Sequence, residues 1–85
     1  MTIYIVSFTR YDEYDNNLYT WRKPLMNWAD AQELFNADVN SAREDISYDY
    51  DESVTYSEKK EDFKHTFERQ DSYCQIIVEL TSHEI

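Results

Sequence analysis

Glycine is missing altogether from these 85 residues, which also hold one proline and one cysteine. Without glycine there is no P-loop, no dinucleotide-binding fingerprint and no nucleophile elbow, because each needs a backbone position that tolerates no side chain. The lone Cys74 cannot close an internal disulfide, and one Cys with two His does not make a Cys/His zinc site. Positive charge is scarce as well. Eight Lys plus Arg stand against 18 Asp plus Glu, a formal net charge of -10. That balance argues against direct nucleic-acid binding, which works by neutralising phosphates with basic side chains. Long apolar runs are also lacking. The opening Ile3-Tyr4-Ile5-Val6 follows no basic segment and its apolar run ends by Arg10, too short for a secretory signal. No later stretch has the length needed to span a bilayer. The expectation is a cytoplasmic protein with no membrane contact.

Aromatic residues are abundant. Eight Tyr, four Phe and two Trp separate this chain from disordered acidic tails, which are poor in such side chains. Residues 1–85 therefore read as a single domain, near the small end of what folds unaided. Residues 2–10 alternate Tyr4, Val6 and Phe8 with Ile3, Ile5 and Ser7, as a strand does. Residues 12–17 form a polar turn in which Asn16 and Asn17 can take the backbone positions glycine would otherwise fill. Residues 18–22 return as a second strand, which Pro24 is expected to end.

The clearest periodicity follows. Asn27 can cap a helix, with Asp30 three residues on. Trp28, Ala31, Phe35, Val39, Ala42 and Ile46 recur at spacings of three and four, inside an arc of about 80°. Asp30, Glu33, Asp38, Glu44 and Asp45 fall together on the opposite side, within about 140°. This predicts an amphipathic helix over about 28–46. Residues 47–52 alternate Tyr48 and Tyr50 with Asp49 and Asp51, suiting an extended segment with a wet acidic face. Residues 57–69 carry two signals: Phe63 and Phe67 at i,i+4 with Ser57 as a cap, or Phe63, His65 and Phe67 alternating as an edge strand. A short helix or turn over 57–62 followed by a strand is the preferred reading. Residues 72–81 place Cys74, Ile76, Val78 and Leu80 on one face and suit a central strand under the helix. Together these elements predict an α+β fold, an antiparallel sheet of three to five strands packed against one main helix.

No constellation for catalysis stands out. A Cys74–His65 dyad is conceivable, but Cys74 sits among Ile76, Val78 and Leu80 and reads as a small buried hydrophobe. Asp49-Tyr50-Asp51-Glu52-Ser53 matches the first positions of a calcium loop, yet Val54 and Lys60 stand where glycine and a bidentate Glu are required. The expectation is therefore no enzyme, no metal and no cofactor.

What is left is the geometry of the acids. Carboxylates three or four apart on a helix lie roughly 5–6 Å apart at Cβ, and alternate strand residues about 6.5 Å apart. Asp30 with Glu33, Asp45 with Asp49, and Asp49 with Asp51 then make a row of negative charge that can sit in a groove built for phosphates. Tyr48, Tyr50 and Tyr56 lie between the acids and can stack on a partner's arginines. An acidic face opposite an apolar stripe is also what ordinary solvated surface looks like; the size of the excess in a compact chain favours the binding reading. The residues expected to meet a partner are Asp30, Glu33, Asp38, Glu44, Asp45, Tyr48, Asp49, Tyr50, Asp51 and Glu52.

Small size, acidity and aromatic content resemble the inhibitors that phages and mobile elements turn on host defences: uracil-glycosylase inhibitors, antirestriction proteins and anti-CRISPR proteins. Ile3-Tyr4-Ile5-Val6, Tyr11, a polar turn, Trp21 and an acidic helix are similar to the first segment of the alleviation-of-restriction DNA mimics. The resemblance implies a protein that blocks a nuclease or DNA-scanning complex, a basic nucleic-acid-binding partner, by occupying its channel. The alternative is an acidic adaptor or regulator on a basic surface, such as that of a polymerase, a toxin or a transcription factor, without competition with nucleic acid. A homodimer through a sheet edge, at residues 63–69 or at the first hairpin, is compatible with either.

Overall fold

The computed structural model describes residues 1–12, 17–44, 54–62, 64–70 and 74–85. The elements are, in chain order, β1 (Thr2–Asp12), β2 (Asn17–Leu25), α1 (Trp28–Glu44), β3 (Thr55–Glu61), β4 (Lys64–Gln70) and β5 (Cys74–Glu84). All five strands form one antiparallel sheet in the order β2-β1-β5-β4-β3. The helix packs on one face of it, which makes the fold α+β.

The strand pattern read from sequence dictates this arrangement. β1 and β5 are the two most apolar strands and pair at the centre over eleven residues, from Thr2 opposite Glu84 to Asp12 opposite Cys74. Their pairing draws the chain ends together, and the Ile85 amide donates to the Met1 carbonyl at 2.8 Å. Register then sets the covered face: Val6 stands opposite Leu80 and Leu80 opposite His65, while Phe8 is opposite Val78 and Val78 opposite Phe67. Val6, Phe67, Ile76, Val78 and Leu80 from the sheet meet Ala31, Phe35 and Ala42 from the helix, all buried. Full burial of each large member contributes about 1.5–3 kcal/mol, which is the main stabilisation available to so small a domain.

At the helix start, the Asp30 amide donates to Asn27 Oδ1 at 2.8 Å and the Ala31 amide donates to the Asn27 carbonyl at 3.2 Å. The cap satisfies one of the amide donors that the first helical turn leaves open.

The described part of the helix ends at Glu44; residues 45 and 46, where its end was expected, lie outside the described residues. Three expectations are corrected. Pro24 does not end the second strand but pairs with Ile5 inside β2. β2 is an outer strand, where a missing amide donor is tolerated. Residues 57–61 are not a helix or turn: β3 runs from Thr55 to Glu61 and pairs with β4, which starts at Lys64. All seven residues of β3 are exposed, so no burial pattern marks it in sequence, and backbone pairing with β4 alone defines it. Lastly, the edge expected at residues 63–69 is not one over its described part, 64–69, since β4 lies between β3 and β5; the edges are β2 and β3.

Candidate functional site

The outer surface of α1 carries Asp30 and Glu33, one turn apart, and Glu44 near its end, all exposed. Among the described residues none of the three takes part in an ion pair. Eleven residues separate Glu33 from Glu44, about 16 Å along the axis at 1.5 Å per residue.

Asp38 does not belong to this row. It is 9 % exposed, and its Oδ2 is buried without a hydrogen-bond partner. Burial pushes its carboxyl up from 3.8 to about 6. The cause is the way the helix settles on the sheet. At roughly 100° per residue, Asp38 lies only about 20° from Ala31 and about 40° from Ala42. Those two alanines allow close approach and are fully buried, so the covered arc is centred between them and sweeps in Asp38. Trp28, expected within the stripe, is instead 42 % exposed. Its ring stands edge-on to Tyr4 and to His65, each at 5.4 Å between centroids.

Asp45, Tyr48, Asp49, Tyr50, Asp51 and Glu52 lie outside the described residues. The structure therefore brings Asp30 and Glu33 together, sets Glu44 apart from them, and removes Asp38 from the surface.

Sequence reasoning missed what becomes of the bases. Arg10 pairs with Asp12 at 3.6 Å, Lys64 with Glu79 at 3.8 Å, and both Lys60 and Arg43 with Glu58 at 3.8 and 3.9 Å. Arg43 also lies over the rings of Phe67 and Tyr56, at 4.7 and 5.3 Å to the centroids. Arg69 is buried. Much of the little positive charge is thus engaged within the domain, while the helix acids face outward. The signal for Arg43 was present in sequence as the single base on the helix, lying outside the acidic arc; the structure places it in the last described turn.

Beside the outer acids runs a groove of about 400 Å³ between α1 and β2, lined by Lys23, Leu25, Asp30, Glu33, Leu34 and Ala37. Its apolar residues suit the methylene stem of a long basic side chain, and its two carboxylates outnumber Lys23, leaving the lining net negative for the charged head. Tyr56, half exposed beside Glu58 and Arg43, adds an aromatic surface at the other end of the helix.

The Cys74–His65 pair is not assembled. His65 stands opposite Leu80, six residues along β5 from Cys74 and about 20 Å away at the rise of a strand. His65 lies on the helix-covered face and not on an open surface, with its ring also edge-on to Phe35 at 6.0 Å. Among the described residues no group of three or more His, Cys, Asp or Glu is placed to hold a metal, and no helix is long and apolar enough to cross a membrane.

No family model matches the chain, and neither a curated protein nor a solved structure shows significant similarity to it.

Proposed function

We propose that this chain is an acidic inhibitor of a host nucleic-acid-acting defence complex, of the anti-CRISPR or antirestriction kind. In this reading it places carboxylates where the complex expects phosphates and so occupies a basic channel. The observation that supports it is the division of charge: four of the eight bases, Arg10, Arg43, Lys60 and Lys64, pair with the domain's own acids, against Asp30, Glu33 and Glu44 exposed and without ion pairs among the described residues. A rigid mount strengthens such a display, because the helix is capped at Asn27 and anchored through Phe35 and Ala42. Fixed charges lose little entropy on binding and accelerate encounter with a basic surface. The groove at Asp30 and Glu33 gives one basic side chain of the target a place to dock.

A second reading draws on Asp38. With that carboxylate buried, the helix row is interrupted over about 16 Å, far wider than the spacing of phosphates along a strand. An acidic adaptor on a basic protein surface needs no such spacing and need not displace nucleic acid.

The test is capture of partners from bacterial lysate on the immobilised chain, eluted by a salt gradient, with the D30K/E33K/E44K variant alongside. The inhibitor reading expects a nuclease or effector complex that is released by competing nucleic acid, with affinity lowered about a hundredfold or more in the variant. A partner that keeps its nucleic acid while bound selects the adaptor. Equal capture by both chains sinks the two readings together.

A further inference from the structure

Among the described residues only one face of the sheet is covered, by the helix. Register places the alternate residues of all five strands on the other face, with Ile5, Thr9 and Ile77 near its middle. Thr9 and Thr20 hydroxyls meet there at 3.2 Å, and Gln75 donates to Glu68 at 3.0 Å. Among the described residues the charged side chains of this face are Arg22, Lys59 and Lys64 against Glu61, Glu68 and Glu79, three of each sign. These charges cancel, in a chain whose formal charge is -10.

We infer that this open sheet face is a self-association surface, covered by the same face of a second copy. Two copies related by a two-fold axis bring one patch against itself, so any patch with net charge meets its own sign. A face of zero net charge holding both signs is what self-pairing requires. A basic partner or a nucleic acid gains nothing from a neutral surface, whereas a second copy avoids the repulsion that its acidic faces impose everywhere else. The size is also adequate. Five strands about 4.8 Å apart, with a mean usable length of about 30 Å, give on the order of 700 Å² per copy. Stable interfaces take about 800 Å² per partner. The product is a four-layer sandwich, helix–sheet–sheet–helix, in which the helices and their exposed acids form the two outer surfaces. This goes beyond the proposed function, and its outcome does not depend on the target of the acidic surface.

The experiment is sedimentation equilibrium of the full chain at roughly 100 μM, above the micromolar range that bounds weak interfaces of this size. The variants are Thr9→Lys and Ile77→Lys on the open face and Glu33→Lys on the helix. Circular dichroism establishes that each is folded; should Ile77→Lys unfold, Thr9→Lys carries the test. The expected result is a dimer for the parent and for Glu33→Lys, with association weakened at least tenfold toward monomer in the folded open-face variants. A monomeric parent overturns the inference. So does a dimer that survives both open-face substitutions, since that reports pairing through the edge of β2 or β3.

Discussion

The guanidinium of Arg43 lies 4.7 Å from the centroid of Phe67, across the gap between the last turn of α1 and strand β4. The same group is 5.3 Å from the Tyr56 ring and 3.9 Å from Glu58 on the outer strand β3. One side chain thus ties the helix end to the two strands farthest from β2. It also places a cation at the negative end of the helix dipole. β3 is wholly exposed, and its Tyr56 ring also meets Phe67 at 6.1 Å between centroids.

Arg43→Ala is expected to cost about 1 kcal/mol, the sum of a partly exposed cation–π contact and the dipole interaction. In a domain of this size that lowers Tm by about 4–8 °C. Arg43→Lys restores the charge but not the planar stack, so it should recover less than the full loss. Thermal melts of the three proteins at one ionic strength decide it, and an unchanged Tm in Arg43→Ala would show the contact to be idle. Hydrogen exchange should show the amides of β3 opening first in the alanine variant.

Asn27→Ala removes the acceptor for the Asp30 amide. The expected loss is about 1 kcal/mol, within the usual range for a cap. Asn27→Asp or Asn27→Ser should keep most of the stability, because both supply an acceptor oxygen. Urea denaturation of the set separates a cap from a generic helix-propensity effect, since alanine is the better helix former and gains if capping is unimportant.

The parts of this fold that were legible in sequence are those in which one-sided burial repeats. β1, α1 and β5 each alternate or recur with the period of their structure, because each packs one face into the core. β3 could not be read this way: Thr55–Glu61 buries nothing, so its side chains record no periodicity and its state follows from pairing with β4. Pro24 misled for a related reason, since the rule that proline ends a strand lapses at a sheet edge and edges are a property of topology. At the candidate site, Asp30, Glu33 and Glu44 were placed correctly on the exposed face by the wheel alone. Asp38 was not, because the wheel gives angular order and not the rotation of the helix about its axis. That rotation is set by Ala31 and Ala42, whose small size draws their side of the helix down.

Cys74 is a probe of the core. It is 2 % exposed at the start of the central strand. Thiol labelling by an aromatic disulfide reagent should proceed slowly in the native protein and rise to the free-thiol rate in urea. In Phe67→Ala, which empties a fully buried ring position, about 3–5 kcal/mol is lost and native labelling should accelerate by the corresponding factor. Rapid labelling of the parent under native conditions would mean that the end of β5 opens locally, independent of the core.

Asp38 gives the domain a signed dependence on pH. Its carboxyl sits at about 6 in the folded protein against an ordinary 3.8, because burial disfavours the charged form. The folded state therefore holds this proton more tightly than the unfolded chain does. Between those two values stability falls as pH rises: the contribution is complete below 3.8 and lost above about 6. Asp38→Asn removes the titration. It is expected to stabilise the protein at pH 7 by about 1 kcal/mol, the scale of desolvating a polar group without a partner, and to change little at pH 4. Glu33→Gln is the control, since it removes one negative charge from an exposed site on the same helix. Urea midpoints for the three proteins between pH 4 and pH 7 provide the measurement. If Asp38→Asn and Glu33→Gln flatten the profile equally, general repulsion among the acids is responsible; a flattening confined to Asp38→Asn assigns the slope to the buried carboxyl.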